Sequence, residues 1–334
     1  MAFVTGGTGL VGAHLIFDLL QNNVAVRALK RPTSSLNVIE RIFHYYSENA
    51  DELLQKIEWI EVDVLDFYLL DEIIQENEEV YHAAAFVSFH PQDKAQIQQI
   101  NVEGTHNIVN ACIKNKVRKL CYVSSIAALG RGENSRATTE EDYRDATYKS
   151  SVYSQSKFDA EREVWRGIAE GLNAVMVNPS VIIGPGDWNK GSSQLIQTVN
   201  KGLKFYTKGR NGYVDVRDVS RAMIQLMESE ISAERFILYS EDWNYKELFD
   251  SIAHALGVKP PPFYAGAFLS EISWRVLKLG SFITGKNPIV TKETAHTANS
   301  FYAYSSEKIK NKLGFNFIPL KQSIEDTCRL FLNS

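Results

Sequence analysis

The stretch "FVTGGTGLVGAHLI", residues 3–16, decides the fold. The apolar pair Phe3-Val4 runs directly into closely spaced glycines. Gly7-x-Gly9-x-x-Gly12 fits the dinucleotide fingerprint, and Gly6-x-x-Gly9-x-x-Gly12 fits an overlapping variant. Apolar residues at Val11, Leu15, Leu19 and Leu20 then set a helical period over residues 10–21. A strand, a glycine turn and a helix in that order aim free N–H groups at a phosphate. One glycine permits the tight turn, one lets the backbone approach a pyrophosphate, and one lets the helix pack close to the strand. A phosphoryl-transfer loop does not fit, because Ala13 follows Gly12 where Lys-Ser/Thr would be needed.

Outward from that turn the alternation continues. "VAVRAL", "IEWIEVDV", "EVYHAAAF", "KLCYVSSI" and "NAVMVNPSVII" read as strands, with helical patterns at 67–77, 94–115 and 152–170. The expected fold class is α/β, a Rossmann-type doubly wound parallel sheet with a smaller C-terminal substrate-binding lobe. Beyond residue 184 "GPGDWNKGSSQ" and "VKPPPF" break the pattern, and 265–283 reads as an apolar helix suited to cover a greasy pocket.

The 334 residues, 44% hydrophobic, are enough for a sizeable core. A net charge of −4 supplies no basic footprint, so nucleic acid is not an expected partner. Three cysteines, scattered and without a CxxC pair, fit a reducing setting, and a cytoplasmic location is expected. The first strand pattern begins at Phe3, so no secretory leader is expected. No apolar run reaches the ~18 residues of a spanning helix. The seven histidines have no metal-ligand spacing, and no metal is expected.

An NAD site usually carries an acid about 20 residues beyond the glycines, for the ribose hydroxyls. Here Lys30 and Arg31 stand at that place, and no Asp or Glu occurs between Asp18 and Glu40. A cationic pair favours a 2′-phosphate, so NADP is the expected cofactor and NAD the alternative. Ser34 and Ser35 are further candidate donors.

"YSQSK", residues 153–157, places Tyr153 and Lys157 one helical turn apart on the same face. A phenol near pKa 10 is a poor acid–base group at neutral pH. A neighbouring ammonium would lower that pKa and let Tyr153 exchange a proton with a carbonyl or alcohol oxygen. Upstream, "YVSSIAALG" ends a strand on Ser124 and Ser125, where a hydroxyl would face the ligand crevice of a parallel sheet.

Taken together these residues resemble the extended short-chain dehydrogenases/reductases of the NAD-dependent epimerase/dehydratase group. The matching segments are "VTGGTGLVG", "DVLD" (63–66), "HAAA" (82–85), "NVEGT" (101–105), "YVSSIAALG", "YSQSK" and "NPSVIIGPGD". "GYVDVRDVSRA" (212–222) and "SSEKIKNKLGF" (305–315) extend the match over nearly the whole chain. The resemblance implies a cofactor domain over 1–180, with 213–241 returning to it, and a substrate lobe from 181–212 and 242–334. It implies a Ser-Tyr-Lys triad of Ser125, Tyr153 and Lys157, with Ser124 the near alternative to Ser125. For the cofactor it implies Gly6, Thr8, Gly9, Leu10, Val11 and Gly12 at the pyrophosphate, and Asp63 and Val64 at the adenine. Ala83, Ala84 and Ala85 fall beside the ribose and phosphate, Lys157 also at the nicotinamide ribose, and Asn178, Pro179 and Val181 along the nicotinamide. Asn101 reads as a helix N-cap or as a functional residue. A homodimer is implied through helices 101–115 and 152–170, with Ile108, Val109, Cys112, Val164, Trp165 and Ile168 as its apolar contact.

Within the family, "VRALKRPTSS" and "NPSVIIGPGD" look most like dihydroflavonol-4-reductase-like and 3β-hydroxysteroid-dehydrogenase-like members, which act on oxygens of hydrophobic ring systems. Phe86, Ser88, Phe89 and His90 follow a sheet edge where such a substrate would lie, and Trp188 and Tyr213 are candidate aromatic walls. The alternative is a nucleotide-sugar epimerase or dehydratase, with Arg210 and Arg217 as candidates for a diphosphate. "SSIAALG" lacks the acidic set of a dehydratase. A non-enzymatic, cofactor-sensing regulator is a third reading; such relatives tend to lose the Tyr or the Lys, and both are present here.

Overall fold

The computed structural model describes residues 1–132, 136–144, 150–266 and 299–334. β1 (Ala2–Thr5) is buried along its whole length, as expected of a strand with helices over both faces. It feeds through the glycine turn into α1 (Leu10–Gln21). β2 (Val26–Lys30), α2 (Asn37–Tyr46), α3 (Ala50–Gln55) and β3 (Ile57–Glu61) build one half of the sheet. α4 (Phe67–Ile73) then leads back to β4 (Glu79–His82) on the other side of β1.

The second half runs outward from β4. α5 (Lys94–Gln98) passes through a π-helical turn, Gln99–Glu103, into α6 (Gly104–Lys114). β5 (Lys119–Val123), α7 (Val152–Ala169) and β6 (Ala174–Pro179) follow. The segment expected as one strand, "NAVMVNPSVII", divides at Ser180. Pro179 has no N–H with which to extend the ladder. β7 (Val181–Ile183) leaves the central sheet and pairs with β9 (Arg210–Asp215) in a three-stranded sheet completed by β11 (Glu241–Asn244). Between β7 and β9 lie α8 (Gln194–Asn200) and β8 (Phe205–Tyr206). α9 (Val216–Glu228) and β10 (Glu234–Leu238) return to the central sheet, whose seven parallel strands run β10-β6-β5-β4-β1-β2-β3. The order reverses between β1 and β4, so the crevice at their carboxyl ends is where an open α/β sheet binds its ligand.

The remaining elements are α10 (Tyr245–Leu256), β12 (Phe263–Tyr264, paired with β8), α11 (Glu307–Leu313) and α12 (Leu320–Leu332). α8, α10 and α12 close a separate core with Trp188 and Tyr213 inside it. Trp188 stands edge-on to Phe331 at 5.0 Å. Both aromatics are therefore packing residues and not pocket walls. The apolar stretch expected over 265–283 lies, from residue 267, outside the described residues.

Ile108, Val109, Cys112 and Val164 are completely buried, with Trp165 and Ile168 packed against their cluster. They cover the sheet, because a parallel sheet consumes the apolar stripe of every helix laid on it. The contact expected to join two copies is thus part of the chain's own core. The outward faces of α6 and α7 are polar: His106 bonds Glu163 (2.8 Å), and Arg166 bonds Glu163 (3.0 Å) and Asn110 (2.7 Å). Among the described residues no helix is long and apolar enough to cross a membrane.

Candidate active site

The turn after β1 uses Gly6, Gly9 and Gly12, the second of the two overlapping patterns. Gly6 has φ +71°, and a Cβ there would lie 2.6 Å from the backbone of Ala83 and Ala84. A Cβ at Gly12 would run into the Gly6 carbonyl. Gly9 is the N-cap of α1 and donates its N–H to Gly6 O (2.9 Å). At Gly7 a Cβ would crowd only side chains, the Ile16 methyl end at 2.7 Å and Ala28 and Trp59 at 3.4 Å. The N–H groups of Leu10, Val11 and Gly12 open the helix and have no intrahelical acceptor. Beside exposed Gly9 and half-buried Thr8 they make a backbone cradle for an anion. The Ala84 N–H bonds the Thr5 hydroxyl (3.2 Å), which fastens the small-residue end of β4 against this turn. Ala83 and Ala84 are half-buried and Ala85 is exposed. These residues fit the pyrophosphate of a dinucleotide.

Along β2 the expected cationic pair divides. Lys30 is held by Glu61 of β3 at 3.0 Å, so its charge is engaged within the sheet edge. Arg31 is exposed, and its backbone N–H bonds Ser34 Oγ (3.1 Å) while Ser34 N–H returns to Arg31 O (2.9 Å). Arg31 directly follows the last residue of β2. Asp63 accepts the Leu65 N–H (3.0 Å), and Val64 packs into the core against Gly104.

The strand end of β5 and the start of α7 bring the hydroxyls together. Ser151 caps α7 by accepting the Ser154 N–H (3.0 Å). In the first turn of α7, Tyr153 stands near the Ser125 side chain; burial pushes the Tyr153 phenol up, and the Ser125 hydroxyl opposes that shift. Ser125 Oγ also accepts the Ala127 N–H (3.1 Å). Ser124 instead turns inward and is 4% exposed. Arg144 bonds both Ala127 O and Ser154 Oγ, joining the loop after β5 to α7.

Lys157 is 3% exposed, and burial lowers its pKa to about 8. Its ammonium donates to Val123 O (2.9 Å) and Tyr122 Oη (3.3 Å), not to Tyr153. The expected lowering of the Tyr153 pKa by that ammonium is therefore not found: the lysine stem lies along β5 and spends two donors there. Asn178, on β6, donates to Ser125 O (3.0 Å) and to Glu161 Oε1 (2.7 Å). Pro179 ends that strand and half-buried Val181 opens β7.

Two polar residues under the site are more informative than the sequence made them. Asn101 sits inside the π-helical turn and caps nothing. Its side chain brackets Phe86, accepting the N–H (2.7 Å) and donating to the carbonyl (3.1 Å), and also donates to Ser156 Oγ (2.9 Å). One amide thus ties the loop after β4 to α7. His82, fully buried, accepts from Thr5 Oγ1 at Nδ1 (2.7 Å) and donates from Nε2 to Thr105 Oγ1 (3.0 Å). Thr105 donates onward to Asn101 O (2.6 Å), which fixes His82 as the neutral Nε2–H tautomer. Burial agrees, pushing the His82 pKa down to about 3. The only signal in the sequence was the pair of polar residues opening "HAAA" and "NVEGT". Asn101→Ala leaves the Phe86 backbone groups unpaired, and is expected to cost about 1–2 kcal/mol of stability, read as a lower midpoint in urea.

The mouth of the crevice is apolar. Phe89, 41% exposed, stands edge-on to Tyr153 at 5.6 Å between ring centres. Phe86, in the same loop, is half-buried. Ser88 is turned away onto Asp93 (2.5 Å), and the His90 N–H bonds Ser88 Oγ (3.1 Å). The two arginines considered for a diphosphate are both engaged: Arg210 by Asp242, and Arg217 by Asp215 (2.6 Å) and Asp326 (3.0 Å).

Residues 2–238 match the model of the NAD dependent epimerase/dehydratase family. The chain belongs to this family. The match spans β1 to β10 and therefore the entire central sheet. As a family member the protein is an NAD(P)-dependent oxidoreductase of the extended short-chain dehydrogenase/reductase type. Among curated relatives, a putative dihydroflavonol 4-reductase of Synechocystis is 27% identical, over 99% of this chain and 94% of its own length. Cinnamoyl-CoA reductase 2 of Medicago truncatula is 24% identical, over 98% and 89%. Among solved structures, that of gox2253 superposes with a TM-score of 0.82 at 28% identity, covering 100% of this chain and 98% of the other.

Proposed function

We propose that the protein reduces a carbonyl, or oxidises the corresponding alcohol, on a hydrophobic small molecule with NADP as the cofactor. The observation that carries this reading is the Ser125–Tyr153 hydroxyl pair beside buried Lys157, opening under the exposed ring of Phe89. The cofactor would lie across the Gly6–Gly12 turn and Ala83–Ala85, with Asp63 and Val64 at the adenine and Asn178, Pro179 and Val181 along the nicotinamide. Residues 1–180 and 213–241 would hold it, and 181–212 and 242–334 would hold the substrate. When bound, the nicotinamide supplies or accepts the hydride.

The chain's own residues do the rest. Ser125 Oγ holds the substrate oxygen. Tyr153 Oη gives that oxygen its proton during reduction, or takes it during oxidation. Lys157, with two donors spent on β5, has its third N–H for a ribose hydroxyl. Phe89 shields the reacting oxygen from water and offers an aromatic edge to the substrate. The relatives named as dihydroflavonol and cinnamoyl-CoA reductases support an aromatic or otherwise ring-bearing carbonyl. The pairing of Arg210 and Arg217 with carboxylates argues against a nucleotide-sugar diphosphate at those positions. A cytoplasmic homodimer fits the reading, though any pairing over α6 and α7 would use their polar faces.

Assays with a panel of aromatic ketones and aldehydes against uridine-diphosphate hexoses test this, with turnover confined to the first group as the expected result. The pH profile is a second check. A Tyr153 phenol raised by burial stays protonated through neutrality, so reduction should be flat there and fall as Lys157 loses its proton, above about 8. An acidic limb near pH 8, with rates rising above it, would contradict these roles.

A further inference from the structure

Behind Lys157 lies a set of buried charges that the reaction does not touch. Glu161 is one turn beyond Lys157 on α7 and is 2% exposed. Its Oε2 pairs with Arg235 of β10 at 3.1 Å, and its Oε1 accepts from Asn178 at 2.7 Å. Asn178 in turn donates to the carbonyl of Ser125. Arg235, 5% exposed, gives its other donors to the Glu140 carbonyl (Nε 3.0 Å, Nη2 2.6 Å). The Glu140 carboxylate accepts the Ile237 N–H of the same strand (2.8 Å). Edge strand, catalytic helix and the end of β5 are thus joined through one carboxylate. A buried pair of this kind is rarely a net gain in stability over apolar residues, so its presence beside the site calls for another reason.

We propose that Glu161 is a positioning residue for the Ser125–Tyr153–Lys157 set: its carboxylate keeps the Lys157 ammonium charged in a dry site and holds the Ser125 strand end through Asn178, while Arg235 sets how much of that negative charge Lys157 feels. The inference rests on the proposed function. It also explains how a lysine with only a carbonyl and a phenol as partners keeps its proton near neutral pH. The other ionisable groups facing Lys157 do not supply a negative charge. Tyr122 of β5 is held well above the ordinary phenol range by burial, His82 of β4 is neutral, and Tyr153 is raised by burial. Burial drives Lys157 down and Glu161 opposes it. Arg235 comes from β10 with the opposite sign.

The test is a titration of Lys157 itself in the full-length protein without cofactor. The probe is lysine labelled with ¹³C at Cε, with the Lys157 resonance assigned by its loss in Lys157→Met. Glu161→Gln removes the carboxylate charge and keeps the shape, and should move the Lys157 midpoint down by about 1 unit or more. Arg235→Met unmasks the carboxylate and should move it up. The kcat of Glu161→Gln at neutral pH should fall several-fold, with the alkaline fall of its pH profile moved to lower pH and KM for cofactor little changed. Shifts in opposite directions support the proposal. Shifts in the same direction, or none, overturn it and leave the pair as a structural clamp. If Glu161→Gln does not fold, the upward shift in Arg235→Met decides alone. The titration needs no substrate, so its failure is distinct from failure of the reductase reading, which shows as no turnover on any carbonyl.

Discussion

Tyr153→Phe is expected to lower kcat by about 10²–10⁴-fold, the usual contribution of a general acid–base group, while leaving cofactor affinity nearly unchanged. The substitution removes one oxygen. The variant keeps an aromatic ring against Phe89 and the helix cap at Ser151, so the site's shape survives. What is lost is the hydroxyl that stands near Ser125, on the ring packed against exposed Phe89. Ser125→Ala should produce a smaller loss, because it orients the oxygen without transferring the proton. Retention of more than about a tenth of wild-type turnover by the phenylalanine variant would remove Tyr153 from the acid–base role.

The second large effect concerns the cofactor. Arg31→Ala should weaken NADPH by roughly 10- to 100-fold and leave NADH unchanged, because a charge-assisted contact to the 2′-phosphate is worth about 1.5–3 kcal/mol. Lys30→Ala should do much less. The Lys30 ammonium already has a carboxylate partner in Glu61, so a phosphate gains little from it. Fluorescence titration of both cofactors into the two variants separates the positions. Equal loss at both residues, or an NADH preference in the unaltered protein, would return the pair to an ordinary solvated loop.

The difference between Lys30 and Arg31 illustrates how far the sequence could be read. That a cationic pair replaces the acid was legible, since it depends only on distance from the glycines. Which of the two is available was not, because Glu61 is far along the chain and becomes a neighbour only through the register Lys30↔Glu61 of two parallel strands. The glycine turn was legible because its constraint is local: a positive φ at Gly6 and a close approach at Gly12 can be met by almost no other residue. Tyr153 and Lys157 share a face because the helix period puts them there, but the direction of the lysine stem depended on β5, and it ran to Val123 O. Aromatic and apolar residues misled for one common reason. Trp188, Tyr213, Ile108 and Val164 have the composition of a pocket or an interface, and only the packing of a third layer distinguishes those from a core. Asn101 misled in the opposite sense, since a polar residue that opens a motif reads as a cap when it lies within a continuous helical run. Glu161 and Arg235, 74 positions apart, had no local pattern to reveal them.

The most direct measurement is the fate of the hydride. With NADPH carrying deuterium at the transferable C4 position and an aromatic ketone or aldehyde as acceptor, the protein should place deuterium on the carbinol carbon of the product. One deuterium should appear for each NADPH consumed, and the Tyr153→Phe variant should show almost none. Consumption of NADPH without deuterium in the product, or no transfer to any carbonyl while a nucleotide sugar is epimerised with no net change in cofactor, would contradict the account.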